Sequence, residues 1–176
     1  MSQTHFPIRA CCALGAALLV FPAAFAADAP ASSAPAAKAA ATAASPVYDA
    51  VQDMKFVTDA RPAAGAKYYI ILESASWCGP CRRELPLIVK AYPEMKAAGV
   101  ELIQLSRDAD LKAAEKWAKD EKVPFAIVAP GSEPKFPKAL PPAPGIPQMY
   151  ILNAAGDVVA EGHPAMLLPR WKELCK

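Results

Sequence analysis

The 176-residue chain is predicted to form an α/β domain: a central mixed sheet flanked by helices, closed by a C-terminal β-hairpin and helix. Three observations carry this expectation. Continuous apolar runs, rather than alternating ones, mark strands buried on both faces. These runs alternate with helix-period segments between Lys67 and Ala129, the order of parallel βαβ units. Two further short runs flank Ala154-Ala155-Gly156-Asp157, a hairpin signal.

The first 46 residues stand apart. "MSQTHFPIRA" carries one arginine, and "CCALGAALLVFPAAFA" follows as an uncharged apolar run ending in Ala24-Phe25-Ala26. A charged start, an apolar core and a small-residue exit describe a secretory signal peptide over residues 1–26. The rival reading, a membrane anchor, wants about 20 strongly apolar residues, and this run has sixteen, six of them alanine. Cys11 and Cys12 lie ahead of the apolar core, in the segment that is cut away. Residues 27–46 contain no large apolar side chain. Such a segment cannot offset its ordering entropy by burial, so it reads as a disordered Ala/Pro-rich linker. The folded domain is expected over 47–176.

Within that domain each element has its own signal. "KYYIILES", Lys67–Ser74, is β-branched, aromatic and uninterrupted, a doubly buried strand. The segment from Cys81 carries Leu85, Ile88, Val89 and Tyr92 at helical spacing and stops at Gly99. Pro86 falls inside this helix, where a kink is expected. "VELIQLS", Val100–Ser106, is the second strand. A helix follows, capped by either Asp108 or Asp110, with Leu111, Ala114, Trp117 and Ala118 on one face. "VPFAIVA", Val123–Ala129, is the third strand. A proline-rich loop then leads to the hairpin, and "PAMLLPRWKELCK" closes the chain as a helix.

Composition excludes some functions. The formal net charge is +2, from 19 basic and 17 acidic residues. With no basic stripe and no interleaved aromatics, there is no nucleic-acid footprint. Three of the five cysteines lie beyond residue 26: Cys78, Cys81 and Cys175. Export means an oxidising compartment, where a close pair can form a disulfide. Cys175 is left over, either a free thiol or a partner in an intermolecular bond.

The pair sits in "SASWCGPCRRELP", and three readings compete for it. Zinc wants four ligands, and only His163 and Cys175 remain downstream, with no second CxxC. A structural staple is weak, because a three-residue loop gains least from cross-linking. The redox reading fits the placement. Cys78 ends a strand and opens a helix, where the dipole and free N–H groups lower a thiol pKa. Cys81, one turn deeper, is placed to attack a mixed disulfide and release product. Gly79 permits the tight turn, and Pro80 presets φ where its missing N–H costs nothing. Trp77 stands to shield one side of the pair.

"WCGPC" resembles the thioredoxin active-site motif, and the likeness runs from about Lys67 to the C-terminus. "GIPQMYILNAAGDVV" is similar to the stretch that carries the cis-proline of that fold. The resemblance implies a thioredoxin fold, a cis Ile146–Pro147 bond with Pro147 beside the cysteines, and a substrate surface that includes Trp77 and Ile146. The closer likeness is to exported TlpA/ResA-type thioredoxins of the bacterial envelope, which carry a carboxylate placed as Glu84 is in "CGPCRRELP". That likeness implies a periplasmic thiol–disulfide oxidoreductase. Cys78 would attack, Cys81 resolve, Glu84 accept a proton and Pro147 align the substrate. It implies no cofactor and no metal. It implies protein substrates with disulfides (apocytochrome c or copper-centre proteins), an electron donor such as a membrane thiol–disulfide transporter, and a monomer. Cytosolic thioredoxins bury an aspartate where Leu72 falls here, and Glu73 is the nearest acid. Geometry alone leaves Glu84 open to being a solvated glutamate of the first helical turn. Arg82 and Arg83 stand to assist the thiolate, line a docking face, or form a plain solvated face. Two further readings stay open: a thiol peroxidase, and a copper-delivery module using His163 and Met149.

Overall fold

The computed structural model describes residues 45–176. The expected signal peptide, and the linker as far as residue 44, lie outside the described residues. A five-stranded sheet of order β3-β2-β1-β4-β5 forms the centre. Strands β1 (Tyr68–Ser74), β2 (Val100–Ser106) and β3 (Ala126–Val128) run parallel, while β4 (Gln148–Asn153) is antiparallel to both β1 and β5 (Val158–Gly162). The mixed sheet with an antiparallel hairpin at its edge is therefore as predicted.

Helix α2 (Gly79–Ala97) connects β1 to β2, and α3 (Leu111–Asp120) connects β2 to β3. Parallel crossovers are right-handed, and these two step the same way across the sheet, so both helices land on one face. Leu85, Ile88, Tyr92 and Met95 of α2 accordingly share a core with Trp117 of α3 and with Leu72, Leu102 and Ile127 of the sheet. On the other face Tyr69, Ile71, Ile103 and Tyr150 pack against Val47 and Val51, with Phe136 and Leu140 of the proline-rich loop at their rim. Both faces are buried, which is why β1 and β2 read as unbroken apolar runs.

Several details differ from the sequence reading. The third strand is Ala126–Val128 rather than the whole of Val123–Ala129. A short helix α1 (Pro46–Asp49) starts the fold, capped by Ser45, whose Oγ accepts from Val47 N and donates to the Ala154 carbonyl at 2.6 Å. The compositional boundary at Val47 thus falls inside this element. Helix α2 begins at Gly79, with Cys78 as its N-cap, and runs unbroken through Pro86 and Pro93. Asp110, not Asp108, caps α3, accepting from Ala113 N. The C-terminal segment is not one helix: α4 (Pro164–Leu167), a 3₁₀ turn (Leu168–Arg170) and α5 (Trp171–Leu174) succeed one another. Pro169 lies in the middle, and a proline there removes a helical N–H and crowds the preceding turn.

The proline-rich loop is tied down as a strap. The Tyr150 hydroxyl donates to the Pro141 carbonyl at 2.8 Å, and Lys138 pairs with Asp157. At Gly156 (φ +88°) a Cβ would lie 2.5 Å from Pro137 Cγ.

Candidate active site

The C-terminal end of β1 delivers the chain into a short loop and then directly into α2. The Cys78 N–H donates to the Ala75 carbonyl at 3.2 Å, closing the turn. Cys78 has extended backbone angles (φ −79°, ψ 109°), as an N-cap requires, and its Sγ accepts the Cys81 N–H at 3.2 Å. Cys78 and Cys81 are joined in a disulfide with their Cα atoms 5.2 Å apart. Both are buried, at 4% and 2% exposure, in a small cluster with Ala75 and Ile146. In this oxidised state both sulfur-bearing residues are therefore largely shielded.

The peptide bond Ile146–Pro147 is cis, as the resemblance implies. The Ile146 carbonyl oxygen lies 3.6 Å from Cys78 Sγ. This loop thus brings a free backbone acceptor next to the sulfur. Ile146 is partly exposed and Pro147 buried. Beside them opens a cleft of about 520 Å³, lined by Pro144, Gly145, Ile146, Pro147, Glu161 and His163. Trp77 is 66% exposed. It offers an apolar surface in the residue preceding Cys78. A larger cleft of about 660 Å³ lies under the proline-rich strap, lined by Glu73, Arg107, Glu133 and Phe136 among others. Neither cysteine lines it.

The charged residues around the pair separate clearly. Leu72 is buried against α2, where it belongs to the apolar core. Glu73 points to the opposite face and is bound by Arg107, at 2.9 and 3.3 Å. That pairing raises the Arg107 pKa and leaves Glu73 no part beside the cysteines. Glu84 lies in the second turn of α2, not the first, three residues after Cys81. Its Oε2 is buried and has no hydrogen-bond partner. A buried acceptor without a partner is costly, while Glu84 as a whole is only partly buried. Arg82 and Arg83 are both exposed. Arg83 folds back toward the head of the helix, its Nη1 3.8 Å from where a Gly79 Cβ would lie.

The residues named for copper are otherwise engaged. Met149 is fully buried in the core, and His163 caps α4 by accepting the Ala165 N–H on Nδ1. Among the described residues no three His, Cys, Asp or Glu side chains group around a common point. Cys175 is half-buried, and burial pushes its thiol up to about 11.

Sequence reasoning missed two polar residues beneath the loop. Asp108, weighed only as a helix cap, is buried and accepts from Ser76 N, Ser76 Oγ and Ser106 Oγ. Gln104 is fully buried with both amide atoms unpaired. The signal for both was a glutamine, a serine and an aspartate clustered toward the end of a largely apolar strand.

Comparison with known proteins adds the following. Residues 34–159 match the model of the AhpC/TSA family. The chain is 33% identical over 88 residues to the thiol-disulfide oxidoreductase ResA of Bacillus thuringiensis subsp. konkukian, covering 49% of each chain. It is 27% identical over 84 residues to ResA of Bacillus subtilis, covering 48% of this chain and 46% of that one. The chain spans about half the length of these curated relatives. Among solved structures, the thioredoxin domain of a thiol-disulfide oxidoreductase from Bacteroides vulgatus superposes with a TM-score of 0.52. It is 18% identical and covers 64% of this chain and 81% of that one. That likeness shows a shared fold, the thioredoxin fold.

Proposed function

The chain belongs to the AhpC/TSA family, and from that premise we propose that it is a thiol–disulfide oxidoreductase that reduces disulfides in other proteins through Cys78 and Cys81. One observation carries the proposal. The Cys78–Cys81 disulfide sits at the head of a 19-residue helix, with a backbone N–H on one side of Cys78 Sγ and the Ile146 carbonyl on the other.

In the reduced protein the Cys81 N–H and the helix dipole favour a Cys78 thiolate. The thiolate attacks one sulfur of a substrate disulfide. A mixed disulfide forms and the other substrate sulfur leaves as a thiolate. Cys81 then attacks Cys78 Sγ, the mixed disulfide breaks, and the second substrate thiol departs. The protein is left with the intramolecular bond seen in the structure, two electrons having passed to the substrate. Glu84, one turn beyond Cys81 with a buried unpaired oxygen, takes the Cys81 proton in the resolving step. Trp77, Ile146 and Pro147 hold the substrate chain along the adjoining cleft. The cycle restarts when an external dithiol donor reduces the pair, and no cofactor takes part.

The leader-like residues 1–26 and the likeness to ResA support a periplasmic location, with envelope proteins such as apocytochrome c or copper-centre proteins as substrates. The test is insulin-disulfide reduction with dithiothreitol as donor. Cys78→Ser should abolish activity, and Cys81→Ser should accumulate a mixed disulfide visible by mass spectrometry. Full activity of Cys78→Ser, or faster alkylation of Cys81 than of Cys78 in the reduced protein, would overturn the assignment. Turnover of peroxide with no disulfide reduction would favour a peroxidase instead.

A further inference from the structure

We propose that Asp108 is a positioning residue for the dithiol: its carboxylate anchors the loop that presents Cys78 and, as a fixed negative charge, disfavours the Cys78 thiolate and so keeps the pair reducing. The inference rests on the reading of Cys78 as the attacking thiol.

The anchor is visible bond by bond. Asp108 is 7% exposed. Its Oδ1 accepts from Ser76 N at 3.0 Å and from Ser76 Oγ at 2.6 Å, and its Oδ2 accepts from Ser106 Oγ at 2.9 Å. The neighbouring Arg107 N–H donates to the Ser74 carbonyl at 2.8 Å. The segment following β2 therefore grips the loop following β1 at both ends, immediately ahead of Trp77 and Cys78. Every hydrogen bond to the Asp108 side chain is donated by the partner. That pattern satisfies an ionised carboxylate, which has only acceptors to offer.

The charge is close enough to act. Cys78 is two residues beyond Ser76, so their Cα atoms lie at most about 7 Å apart. The carboxylate is thus within about 10 Å of the Cys78 backbone. At that range, with a dielectric between those of protein surface and water, one charge changes an ionisation ratio by about threefold to tenfold. The other charged and titratable groups about the pair are Arg82, Arg83 and Glu84 from α2, the Glu73–Arg107 pair from the ends of β1 and β2, and Glu161 and His163 from the far wall of the cleft. Leu72 carries no charge, and Glu73 is neutralised by Arg107. Asp108 is the buried carboxylate bonded to the loop itself. An anion there opposes the thiolate, and destabilising the reduced form makes a dithiol a stronger reductant.

Asp108→Asn separates charge from anchoring. Its Oδ1 can still accept both bonds from Ser76, and its Nδ2 can donate to Ser106 Oγ, so the loop stays tied. Two measurements are made on the full chain: the pH profile of Cys78 alkylation after reduction, and the redox equilibrium against glutathione. Neither needs a protein substrate. Insulin reduction by the wild type tests the oxidoreductase reading separately. With Asp108→Asn the alkylation profile should move to lower pH, with about threefold to tenfold more thiolate below the midpoint. The glutathione equilibrium should shift by up to about tenfold toward the reduced protein, or about 30 mV. Ser76→Ala loosens the loop but leaves the charge, and should not lower the profile. If Asp108→Asn does not fold, Asp108→Ser supplies the neutral side chain. A neutral variant with the wild-type profile and equilibrium overturns the proposal. So does a Ser76→Ala profile lowered as far as that of the neutral variant, because loop loosening alone would then explain the shift.

Discussion

At the scale of single residues, Glu84 and Cys175 illustrate opposite uses of burial. Glu84 Oε2 is buried and unpaired, three residues along α2 from Cys81; the proposed resolving step would use a proton acceptor held there, and an unpaired buried oxygen without such a use is a cost. Glu84→Gln keeps the shape and removes the base. It should slow resolution of the mixed disulfide by about a hundredfold or more at neutral pH, the range of general base effects, while initial attack by Cys78 keeps its rate. The difference should shrink as pH rises, because the Cys81 thiol then ionises unaided. Stopped-flow reduction of a model disulfide from neutral to alkaline pH reads this, and equal rates throughout would remove Glu84 from the mechanism. Cys175 carries no such demand. Burial holds its thiol at about 11, from an ordinary 9.0, so near pH 8 a thiol reagent should label Cys78 quickly and Cys175 slowly. The sign for stability follows from the same shift. Cys175 is a neutral thiol in both states below about 9, and it destabilises the fold as pH rises from there through about 11. Cys78, Cys81 and Gly79-Pro80 were legible from spacing and chemistry alone. Asp108 was not, because its partners Ser76 and Ser106 come from two different strand ends, and only the fold brings them together.

Elements were legible where one physical signal dominated. The apolar runs of β1 and β2 located those strands to within a residue, since burial on both faces leaves no other reading. The short helix α1 escaped notice. Its four residues show no periodicity, and Val47 is held by the sheet rather than by the helix. The C-terminal segment was overread as one helix because its apolar spacing persists across Pro169, which interrupts it. The strap could be identified only as a proline-rich loop, since its anchors, Gly156, Asp157 and Tyr150, are supplied by the hairpin. Those anchors make a paired prediction. Gly156→Ala forces a Cβ to within 2.5 Å of Pro137 Cγ at φ +88°, whereas Gly131→Ala, at φ +76°, meets nothing within 4 Å. The second substitution should cost about 1 kcal/mol from backbone conformation alone, and the first clearly more. Urea unfolding of the two variants gives the difference, and equal losses would mean that the strap yields freely at Pro137.

Across the whole molecule, the residue that opens the described segment, Ser45, is fastened to the hairpin, and we propose that the folded domain begins there. Ser45 is buried, caps α1, and donates to the Ala154 carbonyl in the β4–β5 turn. Val47 and Val51, just beyond it, fill the face of the sheet that neither α2 nor α3 covers. Residues 27–44 hold only alanine, proline, serine, threonine, one aspartate and one lysine, so no large apolar group leaves the core when they are removed. A chain beginning at Ser45 should therefore reduce insulin as fast as one beginning at Ala27 and unfold at the same temperature. A chain beginning at Val47 loses the cap, the proline at N1 and the bond to Ala154. Losing a cap costs about 0.5–2 kcal/mol, which in a domain of this size lowers the melting temperature by about 2–8 °C. Its activity should be unchanged at low temperature, because the dithiol lies at the opposite end of β1 from the residues that contact α1. Calorimetry of the two truncated chains decides the matter. A melting temperature that falls already at the Ser45 start would place stabilising contacts in the preceding residues, and one unchanged at the Val47 start would show that Ser45 does not secure the fold.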